Sequence, residues 1–127
     1  IQMKKDFLLI KSTIYPYDVL VTTADDKKVY RYIEKKKKYQ LNDDEKDKLI
    51  ILGEARTTML RGGQVIVRLQ KAKTQLGVDL PILVHELGHA VFFVFDRVGI
   101  DHVQANDEVF CYYQQYLLKK CLEFYDK

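Results

Sequence analysis

Between Asp79 and Gly99 the chain spells out a helix with both ends marked. Asp79 or Leu80 supplies the cap, Pro81 lies in the first turn where a missing N–H costs nothing, and Gly99 provides the stop. The spacing predicts a helix over about 81–97. Its middle reads LVHELGHAVFF, residues 83–93, which sets two histidines four apart with a glutamate between them in an otherwise apolar stretch. Buried polar groups without partners are costly, so this segment calls for partners or a metal.

Positions i and i+4 share one face of a helix. His85 and His89 can therefore aim two imidazole nitrogens at a point about 2.0–2.1 Å from each, the distance zinc requires. Glu86, about 100° round the axis, can stand beside that point and take a proton from a water there. This is the H-E-x-x-H arrangement, with zinc as the expected metal and Glu86 as the general base. The plainer reading is a pair of hydrogen-bonded core histidines. A chance match in a chain of this size is on the order of a few in a thousand at average residue usage, which favours the metal. Gly88 inside the motif costs about 1 kcal/mol relative to alanine in a helix, and its presence predicts a close neighbour such as another backbone.

Catalytic zinc takes three protein ligands and keeps one position open. Downstream candidates for the third are Asp96, Asp101, His102, Asp107 and Glu108. Glu108 is favoured, because a reversal at Gly99 and an antiparallel second helix over about 106–125 would carry its first turn back over the histidines. Asp107 and His102 stay as alternatives. Along that second helix Phe110, Tyr113, Leu117, Cys121 and Phe124 form an apolar stripe, which reads as core packing against the first.

Upstream, FLLIKST and YPYDVLVTT read as extended segments, and ADDKKVYRYIEKKKKYQ as a helix with acidic residues at its start. LNDDEKDKL carries an Asn/Asp capping signal for a short helix. Arg61, Gly62 and Gly63 mark a turn between two strand-forming runs, a β-hairpin whose second strand covers about 64–70. The expected fold is α+β: a small N-terminal antiparallel or mixed sheet packed on helices, in a single domain over 1–127. At 127 residues and 47% hydrophobic, the chain has room for one core.

A net charge of +3 from 21 basic and 18 acidic residues does not put nucleic acid first among partners. The four lysines at 35–38 read as a solvated helix end that complements the dipole, and not as a nucleic-acid or lipid patch. The longest apolar run, Leu80 to Phe95, is too short to span a bilayer and contains ionisable groups, so no membrane partner is expected. Cys111 and Cys121 lie about 15 Å apart along one predicted helix, too far for a disulfide between them. Free thiols imply a reducing, cytoplasmic compartment. The FLLI run after Met3, Lys4 and Lys5 is shorter than the apolar core of a secretory signal, though a chain opening at Ile1 leaves a removed leader open.

HELGH followed at this distance by NDEVFCYY resembles the gluzincin zinc peptidases, and more closely their minimal single-domain forms among phage and bacterial proteins. The resemblance covers roughly the last third of the chain. It implies His85, His89 and Glu108 as zinc ligands and Glu86 as base, with Asn106 and Asp107 flanking the third ligand. Larger relatives carry an aspartate four residues after that ligand; here Tyr112 holds the place and brings a hydroxyl instead of a charge. The metzincin extension is excluded, since Phe92 and Phe95 stand where its glycine and histidine would. HELGH also resembles small regulatory peptidases related to phage repressor antagonists, although Gln104 precedes Ala105 and Asn106 where those have an acidic residue.

The resemblance thus implies a zinc metalloendopeptidase. Regulated repressor cleavage, or a zinc-binding adaptor that does not turn over, are the alternatives. If the fold follows the resemblance, a peptide substrate is expected to add along strand 64–70 as an extra strand. Tyr112, Tyr113, Tyr116 and His102 are candidates to stabilise the transition state, and Phe92 and Phe93 are expected in the core.

Overall fold

The computed structural model describes residues 6–12 and 14–126. Met3, Lys4 and Lys5, on which part of the leader reading rested, lie outside the described residues. In chain order the elements are β1 (Phe7–Ile10), β2 (Val19–Thr22), α1 (Asp26–Arg31), α2 (Asp43–Lys48), β3 (Ala55–Met59), β4 (Val65–Leu69), α3 (Leu80–Val98) and α4 (Asp107–Tyr125). A π-helical turn, Tyr32–Lys36, continues α1, and a 3₁₀ turn, Gln104–Asn106, leads into α4.

The four strands form one mixed sheet in the order β1-β2-β4-β3. The β1–β2 and β3–β4 pairs are antiparallel, and β2 runs parallel to β4. The two central strands, VLVT and VIVRL, are buried along their whole length. Apolar cover on both faces explains why neither strand alternates cleanly. One face packs Val19, Val21, Val65, Val67 and Leu69 against Leu83, Leu87, Val94 and Phe95 of α3 and Tyr113, Leu117 and Cys121 of α4. The other packs Leu20 and Ile66 against Val29 and Ile33 of the α1 region and Leu41, Leu49 and Leu60. Arg68 points to that second face, where its guanidinium donates to the Ala24 and Leu49 carbonyls, each at 2.7 Å, and pairs with Asp26.

The α+β expectation is met, and several ends fall where the local chemistry puts them. Asp79 caps α3 by accepting from the Ile82 N–H, Pro81 sits in the first turn, and Gly99 ends the helix at φ 84°. Asn42 and Glu45 form a reciprocal capping box on α2. In the hairpin, Gly63 N donates to Leu60 O and Leu60 N to Gln64 O, with Gly63 at φ 93°. A side chain at Gly63 would be strained there, and its first carbon would also lie 2.3 Å from the Tyr17 ring.

Two expectations are corrected. Strand β4 is interior, held by β2 on one side and β3 on the other, so it offers no edge to a peptide. The free edge next to α3 belongs to β3. Phe92 and Phe93 are not core: they are 47% and 37% exposed, because the α3 face they share with His85 and His89 points away from the sheet.

Candidate metal centre

Helix α3 lies along the sheet with Leu83, Leu87, Ala90, Val91 and Val94 turned inward, which leaves the 85–89–92 stripe outward. Both histidines are exposed, and their Nε2 atoms are 3.2 Å apart. Two ligands at tetrahedral corners about 2.0–2.1 Å from one ion would be about 3.3–3.4 Å apart. The observed separation is close to that expected of two ligands on one shared divalent cation. His85, Glu86 and His89 form a group able to hold a metal ion, their donor atoms all within 4.8 Å of one another.

Glu86 differs from the histidines in being buried, at 8% exposure. It faces β3, where the Thr57 hydroxyl donates to Glu86 Oε1 at 2.7 Å and lies 3.2 Å from the Glu86 carbonyl. That bond fixes one carboxylate oxygen. The other has no protein partner among the described residues. A cleft of about 390 Å³ opens here, lined by Glu54, Ala55, Pro81, Ile82, His85 and Glu86.

The β3 edge beside the cleft is open. Leu60 N bonds Gln64 O, and the register pairs Thr58 with Ile66 and Arg56 with Arg68, so these alternate pairs exchange the ladder bonds. The N–H and C=O groups of Ala55, Thr57 and Met59 therefore point outward, away from β4. Thr57 was missed in sequence because nothing in local spacing ties position 57 to position 86.

Glu108 is not part of the cluster. The α3–α4 register is set by Phe110 packing on Phe92 and Phe95, and by Gln114 Nε2 donating to the Val84 carbonyl at 3.2 Å. That register brings Gln114 next to the histidine turn. Glu108, six residues earlier on α4, is exposed. Asp107, also exposed, lies outside the cluster too. The neighbour of Gly88 is the same Gln114 amide, 3.6 Å from where a Cβ would be, and not a backbone.

The remaining candidates sit elsewhere. His102 lies tilted against Phe92, ring centroids 4.2 Å apart, and edge-on to Phe110 at 4.6 Å, in an exposed aromatic group beyond His89. Tyr112 is 65% exposed and lines a separate groove with Ile14, Tyr15, Tyr113 and Tyr116. Tyr113 is buried, which pushes its hydroxyl pKa upward, and Tyr116 donates to the Lys11 carbonyl. Asn106 donates to the Asp101 carbonyl, so α4 starts without a side-chain cap. Comparison with protein-family models, curated proteins and solved structures finds no match for this chain.

Proposed function

We propose that this chain is a zinc-dependent peptidase. The observation that carries the reading is the 3.2 Å approach of the two Nε2 atoms beside a carboxylate braced by Thr57 at an open strand edge. His85 and His89 would hold the ion, and Glu108 would complete the ligand set if the first turn of α4, which has no side-chain cap, is drawn in. When bound, such an ion polarises a carbonyl oxygen and acidifies a water near neutral pH. Glu86 does the proton work: with Oε1 fixed by Thr57, Oε2 accepts a proton from the attacking water and delivers it to the departing amine. An extended peptide joins the outward N–H and C=O groups of Ala55, Thr57 and Met59 as a fifth strand, which lays its backbone along the cleft. Regulated cleavage of a repressor is one biological setting in which such a site would work.

A second reading, a zinc-binding module without turnover, draws support from the position of Glu108 outside the cluster. One experiment separates the two. Wild-type protein and Glu86→Gln are each loaded with zinc and offered an unbiased peptide library. The peptidase reading expects cleavage by wild type, its loss in Glu86→Gln, and the same zinc content in both. Zinc retained by both with no cleavage by either would support the silent module, and loss of zinc in Glu86→Gln would make Glu86 a ligand instead of a base.

A further inference from the structure

The open β3 edge carries an unpaired charge of opposite sign at each end. Glu54, the residue just before the strand, is exposed, lines the cleft beside His85, and has no ion-pair partner among the described residues. At the far end stands Arg97 from the last turn of α3. Its Nη2 donates to the Arg61 carbonyl at 3.3 Å, its Nη1 lies 3.9 Å from Met59 Sδ, and its guanidinium carbon is 5.6 Å from the Tyr17 ring centroid. All three contacts orient the guanidinium and none of them neutralises it. The neighbouring Arg61, by contrast, is already engaged by Glu45 at 3.1 Å. From Glu54 to Arg61 the chain advances about 23 Å at about 3.3 Å per residue, the length of roughly seven residues of an added strand.

We infer that the cleft selects extended peptides by charge and direction: an acidic residue toward Arg97 and a basic one toward Glu54. The inference rests on the peptide-cleft reading above. Antiparallel addition is the more stable pairing, and β3 runs from Glu54 toward Arg97. A peptide added antiparallel therefore has its N-terminal side over Arg97, so the preferred ligand is acidic on the N-terminal side of the residue facing Glu86 and basic on the C-terminal side.

The test uses two fluorescent, end-blocked peptides of about eight residues with the same composition, one acid-first and one base-first. Both are titrated by anisotropy against zinc-loaded Glu86→Gln, and against metal-free wild type in case that variant folds poorly. The acid-first peptide is expected to bind about three- to tenfold tighter at low salt, as two exposed ion pairs allow. High salt should shrink the ratio. The double exchange E54K/R97E should invert the preference. Equal affinities, or a base-first preference in wild type, would overturn this inference while leaving the peptide cleft standing. Failure of both peptides to bind, with no slowing of amide exchange at Ala55, Thr57 and Met59, would overturn the cleft and the inference together.

Discussion

Thr57 holds Glu86 with a single hydroxyl, from a different element and 29 residues away in sequence. Thr57→Val keeps the shape and removes the donor, so it should lower stability by about 1 kcal/mol in urea denaturation and reduce peptide cleavage while zinc content stays level. Thr57→Ser should restore both, and full activity in the valine variant would remove Thr57 from the account. Gly88 makes a converse case. The space for a methyl group is present, 3.6 Å from the Gln114 amide, and the backbone there is helical. Gly88→Ala is thus expected to raise unfolding free energy by about 0.5–1 kcal/mol, and a loss would mean that α3 and α4 approach more closely than described. At this scale the sequence was readable where chemistry is local. His85, Glu86 and His89 share one helical turn, so their spacing alone brings them together. Thr57 and Gln114 reach the site across the fold, and no spacing rule points to them. Phe92 and Phe93 were misplaced because an apolar run hides which side of the helix faces the sheet.

Among the elements, α2 is tied to the hairpin through one carboxyl. Burial pushes Glu45 up, but the Arg61 N–H, the Tyr39 hydroxyl, the Arg61 guanidinium and the Asn42 N–H outweigh it and hold its pKa down at about 2, from an ordinary 4.5. A folded-state pKa below the unfolded one favours the ionised folded form. Its contribution is complete above about pH 4.5 and is lost as pH falls toward 2. Unfolding free energy measured across that window should drop more steeply for wild type than for Glu45→Gln, and parallel curves would show that Glu45 is not what links α2 to the turn. The α2 capping box, the ends of α3 and the turn at Gly63 were all legible, because each is written within a few residues. The order of the strands was not. Strands β2 and β4 pair in parallel across an intervening α1, α2 and β3, and that pairing turned strand 64–70 from an expected edge into the interior. The place of Glu108 relative to the histidines is likewise out of reach of local spacing: a reversal at Gly99 predicts an antiparallel α4, but the register along α3 is decided by Phe110 and Gln114.

For the molecule as a whole, two apolar clusters on opposite faces of the sheet hold the fold, and neither includes His85 or His89. The chain is therefore expected to stay folded without a metal at this centre. Chelation should leave the circular dichroism spectrum in place while lowering the melting temperature, since a ligand present at a hundred times its Kd adds about 2.7 kcal/mol. Among the described residues, no helix is long and apolar enough to cross a membrane. The measurement that bears most directly on the account is the metal content of protein purified without added zinc, compared among wild type, His89→Ala and Glu108→Ala. The account predicts about one zinc per chain in wild type, none in His89→Ala, and weakened retention in Glu108→Ala, with all three proteins folded. A folded wild-type chain that takes up no divalent metal would contradict it.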